Sequence, residues 1–306
     1  MVVMIEILNS MNRPDPTTVI AAPGAGEGYW AGGPSAVACD GEVWLAYRLR
    51  RPVTLGRGYA NVIARSTDGV SFETVATVTS AQFECASLER PALVRTPEGG
   101  WRLYVSCSTA GSKHWWVEAL DAETPHDLPT GERTVVLPGD AVEGWKDVVV
   151  KPGPDGWQMW ACRHPLDDGD DQADRMSTWY ATSDDGLKWT MVAEALRPLP
   201  ERWDARGTRI ADVLQDGSHW WALYDGRRSA EENWRERSGL AIGDGPDAFA
   251  ALAGPVPPGP GRTARYASVI SYGNGWRVYF EGTADDGSHD LRTVYVPRPS
   301  GESQSE

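Results

Sequence analysis

Trp44-Leu45-Ala46-Tyr47 is the first copy of a motif, Trp-x-x-Tyr, that recurs along the chain with an apolar third residue and a preceding turn. The other copies are Trp101-Arg102-Leu103-Tyr104, Trp157-Gln158-Met159-Trp160, Trp221-Ala222-Leu223-Tyr224 and Trp276-Arg277-Val278-Tyr279. They follow one another at intervals of 57, 56, 64 and 55 residues. Self-similarity at a near-fixed period indicates one supersecondary unit that is repeated along the chain.

Each copy of the motif belongs to a predicted β-hairpin. A short apolar run comes first, a turn rich in Gly, Asp and Pro follows it, and the Trp-x-x-Tyr strand comes next. The apolar runs are Pro34–Cys39, Pro91–Val94, Val148–Val150, Ile210–Leu214 and Ala267–Ser271. A third strand follows each hairpin, and the fourth strands are Thr74–Thr79, Thr134–Leu137, Met191–Leu196 and Ala250–Val256. Five units of four strands predict an all-β, five-bladed β-propeller with four-stranded antiparallel blades.

The fifth unit has a third strand, Leu291–Val296, and no evident fourth. The apolar N-terminal segment Val2–Leu8 is predicted to supply that strand and close the ring. Because the units span nearly the whole chain, we expect one domain over residues 1–299, followed by a disordered tail, 300–306. The repeated aromatic residues are interpreted as packing between blades, and the Ser-x-Asp-Gly turns at Ser66 and Ser183 as structural.

Composition excludes several classes of function. The 306 residues carry a formal charge of −14, which argues against a nucleic-acid or anionic-membrane surface. The N-terminus lacks the basic region of a signal peptide, and no run of about 18 apolar residues predicts a membrane span, so a cytoplasmic protein is expected. The histidines lack zinc-ligand spacing, so no metal or cofactor is predicted, with a structural cation in the channel left open. The acidic segment Pro165–Met176 lacks the EF-hand pattern and is interpreted as a solvated lid.

The propeller architecture brings distant residues to one mouth of its channel. The start of the first strand and the end of the second lie on the same face of every blade, because these strands are antiparallel. The strand-one starts are Gly33, Glu89, Arg90, Lys146, Asp147, Asp204, Arg206, Arg209, Arg265 and Tyr266. The strand-two ends are Arg48, Arg50, Ser108, Arg163, His164, Asp225, Arg227 and Glu281. A pocket in which carboxylates and guanidiniums converge is the default candidate for a functional site.

Residues predicted to bind a ligand at this mouth share polar or charged side chains. They are Arg90, Lys146, His164, Arg206, Arg209, Asp225, Arg227, Arg265, Tyr266 and Glu281. Arginine pairs bidentately with carboxylate or phosphate, so an anionic or polyhydroxylated small molecule or oligosaccharide is the expected partner. The alternative is that the arginines neutralise neighbouring acids, since the chain has 25 Arg and four Lys.

Two rim loops carry tryptophans, Trp115-Trp116 and Trp234. These side chains either stack on a sugar or pack the loops. The segment Glu231–Arg237 is interpreted as charged and solvated.

Lys146-Asp147-Val148-Val149-Val150, followed by Gly153–Gly156 and Trp157, resembles the blade-three strand of glycoside hydrolase family 43. That family belongs to the superfamily of five-bladed arabinanases, β-xylosidases, invertases and levansucrases, and the resemblance covers about residues 25–297. An Asp at this place in the family modulates the pKa of the catalytic acid and orients it, which implies that role for Asp147. Leu88–Val94 is similar to the Glu-Arg-Pro strand of the exo-galactanase branch, which implies that Glu89 lies in the catalytic centre.

Two positions depart from the family pattern. Blade one has Gly32–Ser35 where typical members have Asp-Pro, so the usual general-base Asp is missing, as it is in the exo-galactanase branch. Blade four reads Trp203–Arg209 where members carry a general-acid Glu, and Asp204 is the nearest carboxyl group.

Glycoside hydrolysis uses one protonated carboxyl group and a second carboxylate that activates water or attacks carbon. We therefore predict Glu89, Asp147 and Asp204 as catalytic residues, with Asp204 or Glu89 as the proton donor and Asp147 orienting it. The expected function is that of a glycoside hydrolase, or a related carbohydrate-active enzyme, that acts on a small sugar, either neutral or anionic. The alternatives are a ligand-binding propeller without hydrolytic activity and a propeller enzyme recruited to specialised metabolism.

Overall fold

The computed structural model describes residues 2–167, 175–252, 255 and 264–298. It contains one helix, α1 (Val2–Ser10), and short 3₁₀ turns beside a large set of strands. The strands are β1 (Thr17–Ile20), β2 (Trp30–Cys39), β3 (Glu42–Arg50), β4 (Gly58–Ser66), β5 (Glu73–Thr79), β6 (Ser87–Leu88), β7 (Ala92–Arg95), β8 (Trp101–Ser108), β9 (Trp115–Ala122), β10 (Glu132–Leu137), β11 (Glu143–Gly153), β12 (Gly156–Pro165), β13 (Ser177–Ser183), β14 (Thr190–Leu196), β15 (Gly207–Asp216), β16 (His219–Arg227), β17 (Arg237–Gly245), β18 (Ala248–Ala251), β19 (Ala264–Ser271), β20 (Gly275–Thr283) and β21 (His289–Pro297).

Within the described residues the strands pair as five successive antiparallel groups, which we call blades one to five. The groups are β2–β5, β6–β10, β11–β14, β15–β18, and β19–β21 with β1, and a parallel bridge between Trp30 and His289 joins the first group to the fifth. In blade two, β6 and β7 together take the place of one strand, because both pair with β8. The predicted all-β propeller of four-stranded antiparallel blades is confirmed.

The prediction of a strand at Val2–Leu8 is wrong, because this segment lies in helix α1. Met4, Ile7, Leu8 and Met11 are buried against blades four and five, and their spacing places them on one helical face. Besides its partner β20, strand β21 pairs antiparallel with β1, in which Thr17 lies opposite Thr293. No helix among residues 2–167, 175–252 and 264–298 is long and apolar enough to cross a membrane.

The Trp-x-x-Tyr aromatic residues pack between blades, as predicted. The Tyr104 hydroxyl donates to the Gly186 carbonyl at 2.7 Å, and the Trp160 indole N–H donates to the Pro246 carbonyl at 2.7 Å. Tyr279 of blade five donates to Gly69 of blade one at 2.8 Å. In all three cases the acceptor lies in the turn between the third and fourth strands of a neighbouring blade, so the repeat joins blades to one another.

The two Ser-x-Asp-Gly turns are structural, as predicted. Oδ1 of Asp68 accepts the N–H groups of Val70 and Ser71 at 2.8 and 2.7 Å. Asp185 makes the equivalent bonds in blade three, at 2.8 Å to both Leu187 and Lys188. Two turns distant in sequence thus share one hydrogen-bonded geometry, which presents a glycine carbonyl to an aromatic residue of another blade.

The innermost strand of every blade is interrupted near the same height. The strand pairing shifts between Gly32 and Ser35, Lys146 and Val149, Ile210 and Asp212, and Arg265 and Ser268. In blade two the gap between β6 and β7 holds Glu89 and Arg90. Such bulges commonly redirect side chains beside functional sites, and these lie beside the candidate site.

Some predictions fall outside the described residues. Residues 168–174 of the predicted acidic lid and the predicted tail, 300–306, are among them. The fourth strand of blade four, predicted as Ala250–Val256, is described as β18, Ala248–Ala251.

Candidate functional site

A pocket of about 210 Å³ lies at the channel mouth where first strands begin and second strands end. Its aromatic walls are Trp30, Trp115, Trp234 and Tyr266. Its charged lining is mostly cationic, although the whole chain is acidic. The cations are Arg48, Arg50, Arg57, Lys113, Lys146, Arg209, Arg227 and Arg265, and the lining carboxylates are Glu89 and Glu236.

The structure brings most predicted site residues together here. Those that line the pocket are Glu89, Lys146, His164, Arg209, Arg227, Arg265 and Tyr266. Asp147, Asp225 and Glu281 lie directly behind it, and each is bonded to an arginine of the lining. Arg90, Asp204 and Arg206 do not line it.

Glu89 is the predicted catalytic carboxyl group that reaches the pocket. It lies in the gap between β6 and β7, where its N–H donates to the Ser106 carbonyl at 2.9 Å and its own carbonyl accepts from Asn61 at 3.0 Å. Its carboxylate Oε2 contacts Nη1 of Arg48. Arg48 is shared, since its Nη2 lies 3.2 Å from Oε2 of Glu281. Glu89 is thus held by backbone bonds and by one arginine.

A chain of ion pairs continues from Arg48 around the pocket. Nε of Arg265 donates to Glu281 at 2.8 Å, and its Nη1 contacts Glu236. Glu236 also accepts from Nη1 of Arg227 at 3.1 Å. Each acid in this series of ion pairs therefore has at least one guanidinium partner, and the arginines join successive blades.

These arginines determine the ionisation of the buried acids. Burial opposes the charge of Glu281, but Arg265 and His289 outweigh it and hold the pKa of Glu281 well below its ordinary value. Burial likewise opposes the charge of Glu236, and Arg265, Arg209 and Arg227 outweigh it to lower its pKa. Both groups are carboxylates at neutral pH.

Asp147 acts from behind the pocket. Its side chain is fully buried, and Oδ2 lies 3.5 Å from Nη1 of Arg209, 3.7 Å from Nζ of Lys146 and 3.5 Å from the Tyr266 hydroxyl. Burial raises its pKa, but Lys146 and Arg209 outweigh burial and the net shift is downward. Asp147 is an ionised group that positions three lining residues, which fits an orienting role better than direct chemistry.

Asp225 completes this second network. It accepts from Nη2 of Arg209 at 3.0 Å, from the Tyr266 N–H at 2.9 Å and from the Ser238 hydroxyl at 2.9 Å. Burial raises the pKa of Asp225, and Arg209 offsets this only in part. Burial raises the pKa of Tyr266 to about 12, so its hydroxyl stays protonated. The Arg209 guanidinium carbon lies 3.7 Å from the centre of the Tyr266 ring, which fixes that ring.

The structure does not bring Asp204 together with Glu89 and Asp147. Asp204 lies in a turn before β15, where Oδ2 accepts from the Tyr224 hydroxyl at 2.8 Å and Oδ1 from Nε of Arg202 at 3.2 Å. These partners hold the turn against β16, so the carboxylate belongs to the packing of blade four.

Arg90 also points away from the pocket. Its Nε and Nη2 donate to the Pro34 carbonyl at 3.1 and 3.0 Å. It helps to line a second cavity of about 460 Å³ at the opposite part of the channel, among apolar residues such as Val149 and Ile270.

Arg57 and Glu236 line the pocket but are not among the predicted site residues, which come from first-strand starts and second-strand ends. The third strand is antiparallel to the second, so its start lies at the same mouth. Trp115 begins β9, while Arg57 and Glu236 directly precede β4 and β17. The interpretation of Glu231–Arg237 as solvated is wrong for Glu236, which is 3% exposed. The residues at or just before the start of a third strand could therefore have been predicted from the sequence to lie at this mouth.

The two lining tryptophans of the rim loops carry cations on their faces. Nζ of Lys146 lies 4.8 Å from the Trp115 ring centre, and the guanidinium carbon of Arg50 lies 5.0 Å from that of Trp234. Trp116 instead stacks on His114, with ring centres 6.3 Å apart, and does not line the pocket.

Arg50 and Arg57 differ from the other lining arginines. Arg50 is 2% exposed and stacks on Trp30, with 3.9 Å between its guanidinium carbon and the ring centre. Neither guanidinium has a hydrogen-bond or ion-pair partner among the described residues. Burial, Arg48 and Arg57 lower the pKa of Arg50 to about 9, and burial and Arg48 lower that of Arg57. Arg50 remains a cation at neutral pH.

Strained backbone is concentrated at this site. Seven described non-glycine residues have positive φ, and four of them are Arg57, Asp147, Trp234 and Tyr266. Left-handed conformations of bulky residues cost free energy and cluster at functional sites. No group of three His, Cys, Asp or Glu side chains in the described part of the chain is arranged as a metal site.

No protein-family model matches the sequence, and no curated protein matches it. Solved structures do resemble the fold. A thermostable family-43 glycoside hydrolase is 12% identical, with 94% of each chain covered and a TM-score of 0.70. A second solved structure is described under the GH130 family of mannoside phosphorylases, and that family contains glycoside hydrolases that target β-1,2-mannosidic linkages in Candida mannan. This structure is 16% identical, with 96% of each chain covered and a TM-score of 0.66. The β-1,2-mannobiose phosphorylase of Listeria innocua, solved with β-1,2-mannobiose, is 16% identical over 91% of this chain and 94% of its own, with a TM-score of 0.61. The expected fold of propeller glycosidases is confirmed.

Proposed function

We propose that this protein is a carbohydrate-active enzyme of the glycosidase type that binds one small sugar in the pocket at the channel mouth. The observation that carries the proposal is the position of Glu89, a carboxyl group that the strand gap directs into this pocket. Fold similarity to glycoside hydrolases and mannoside phosphorylases supports the class of ligand, while the residues must support the chemistry. A volume of about 210 Å³ suits a ligand of about one sugar unit.

Two carboxyl groups of the pocket can share the work of glycosidic cleavage. Glu236 is ionised by its arginines, which suits it to stabilise positive charge on the sugar ring or to activate water. Glu89 is then the proton donor. Asp147 is a positioning residue, since it acts through Lys146, Arg209 and Tyr266. Glu236 is thus the second carboxyl group of the pair, in a different role from the proton donor that the sequence suggested for Asp204.

A screen of aryl glycosides tests this proposal. The panel contains the α- and β-4-nitrophenyl glycosides of pentoses, hexoses and uronic acids. Each hexoside is tested beside its 6-phosphate. Glu89→Gln keeps the shape of the side chain and removes its acid, so turnover is expected to fall by about 10²- to 10⁴-fold. The matched control is Asp204→Asn, which changes a buried carboxylate outside the pocket and is expected to retain turnover within a few-fold.

Full turnover by Glu89→Gln would overturn the role of Glu89. Equal losses in both variants would show that the assay reports folding and not chemistry, and would also count against it.

A second candidate function is a propeller that binds a ligand without cleaving it. It is favoured by the contact of Arg48 with Glu89, because a guanidinium stabilises the ionised carboxylate and opposes proton donation. Thermal stabilisation by sugars, together with no turnover of any glycoside by the wild-type protein, would favour this function over hydrolysis.

A further inference from the structure

We infer that Arg50 and Arg57 form an anion subsite in the pocket, fitted to a phosphoryl group. The group is carried either by the sugar as a phosphate ester or by inorganic phosphate bound beside it. The inference deepens the proposed function and rests on it for the presence of a sugar, whereas anion binding itself is measured without turnover.

Arg50 and Arg57 are the lining arginines that form no ion pair with a described acid. Five lining cations each have an acid within 3.7 Å, and five different acids serve them. The pairs are Arg48 with Glu89, Lys146 with Asp147, Arg209 with Asp225, Arg227 with Glu236, and Arg265 with Glu281. Apart from the exposed Lys113, the remaining lining cations are Arg50 and Arg57, and neither has an acid within ion-pair distance among the residues that the structure describes.

A buried guanidinium and a half-buried one, neither with an acidic partner among the described residues, are costly to keep in a folded protein. Burial and the charges of Arg48 and Arg57 lower the pKa of Arg50, and burial and Arg48 lower the pKa of Arg57. An oxyanion bound between the two guanidiniums would neutralise their charges and so remove the cost of keeping them without partners. A phosphate monoester carries about −1.5 to −2 at neutral pH, which matches two guanidiniums better than a single carboxylate does.

The hairpin between β3 and β4 builds the subsite. Arg50 ends β3 and Arg57 directly precedes β4, and the loop is tied by the Arg51 N–H, which donates to the Arg57 carbonyl at 3.0 Å. The left-handed backbone of Arg57, with φ of 56°, completes the turn. Both guanidiniums therefore come from one short, hydrogen-bonded segment.

Two indoles hold Arg50 in place for a ligand. Trp30 and Trp234 lie 3.9 and 5.0 Å from its guanidinium carbon, and their own rings meet edge-on at 6.1 Å. A planar guanidinium fixed by aromatic faces presents its N–H fork without further ordering, and that fork matches phosphate oxygens.

The subsite lies next to the proposed catalytic carboxyl group. Arg48 is close enough to lower the pKa of both Arg50 and Arg57, and it contacts Glu89. A phosphoryl group held here would place the rest of the ligand beside Glu89. The specificity predicted for the pocket is thus a sugar accompanied by a doubly charged oxyanion.

Isothermal titration of the full-length protein at low salt tests the subsite. The probes are inorganic phosphate, a hexose 6-phosphate, the parent hexose and glucuronate. Phosphate or the ester is expected to bind the wild type, with Kd raised at least 10-fold by Arg50→Gln or Arg57→Gln and binding abolished in the double variant. The control is Arg277→Gln, which removes an arginine stacked on Tyr272 at 4.7 Å outside the pocket and should leave Kd unchanged.

The probes separate the two sources of the phosphoryl group. Much tighter binding of the ester than of phosphate or hexose alone identifies a sugar phosphate. Tight binding of phosphate that strengthens hexose binding identifies a free ion. Either result supports the subsite.

Three results would overturn the subsite: no binding of phosphate or ester, unchanged binding in the double variant, or binding of glucuronate alone. Unfolding curves in urea check that each variant is folded. Glu89→Gln should keep anion binding, so a failure of catalysis and a failure of the subsite give different results.

Discussion

The two sides of the pocket use the same residue type in opposite ways. On the side of blades three to five, Arg209, Arg227 and Arg265 each contact one or two buried acids. On the side of blade one, Arg50 and Arg57 contact none of the described acids. The paired arginines hold carboxylates in place and keep them ionised, whereas the unpaired ones remain available to a ligand. Pairing, more than the number of arginines, distinguishes the proposed anion subsite from the rest of the pocket.

The largest test of this comparison is the stability of single arginine variants. Arg265→Gln leaves Glu236 and Glu281 buried with less compensation, and removing one partner of a buried pair costs about 3–5 kcal/mol. Arg50→Gln removes a charge that has no acidic partner among the described residues but also its stacking on two indoles, so the free energy of unfolding is expected to fall by no more than about 2 kcal/mol, or to rise. Urea unfolding of both ligand-free variants measures the difference. Similar losses in the two variants would contradict the division of the pocket.

A smaller effect is expected in the pH dependence of stability. Glu236 and Glu281 have lowered pKa values in the folded protein, so the unfolded chain binds more protons as the pH falls. Their contribution is complete above the ordinary Glu pKa of about 4.3 and is lost as the pH decreases toward their folded values. Glu281→Gln should therefore reduce the loss of stability between pH 6 and pH 3 by about 1–2 kcal/mol.

Arg50→Gln is the comparison for this titration, because Arg50 forms no ion pair with an acid of the described residues. Its unfolding midpoint should follow the wild-type dependence on pH over the same interval. If Glu281→Gln also follows the wild type, Glu281 is not held ionised by its partners.

The Trp-x-x-Tyr period was enough to predict the blades, because strand length and turn spacing repeat with it. The same sequence could not decide the N-terminus. An apolar run such as Val2–Leu8 satisfies a strand or a helix, and its contacts with β17 and β21 decide the matter in the folded protein. Tertiary packing, which the local pattern does not contain, selected helix α1.

The sequence predicted those site residues whose position follows from the start of a first strand. Glu89 and Arg265 were found in this way, whereas Glu236 was missed with the other third-strand starts. Asp204 was expected at the mouth because it precedes a first strand, but the turn before β15 directs its carboxylate to Tyr224.

The pairing of charges lay beyond the sequence. Arg48 is 41 residues from Glu89 and 233 from Glu281, and only the folded chain joins them.

The smallest predicted effect concerns the indoles that hold Arg50. Trp234→Ala removes one aromatic face from its guanidinium, and a cation–π contact at a partly exposed site is worth about 0.5–1 kcal/mol. The Kd for phosphate or the hexose phosphate should therefore rise about 2- to 5-fold, less than for Arg50→Gln, as titration can measure. Trp276→Ala is the matched control, since Trp276 stacks on Arg298 at 4.9 Å outside the pocket. A loss as large as that of Arg50→Gln would show that Trp234 contacts the ligand itself, and that the pocket wall does more than orient the unpaired arginine.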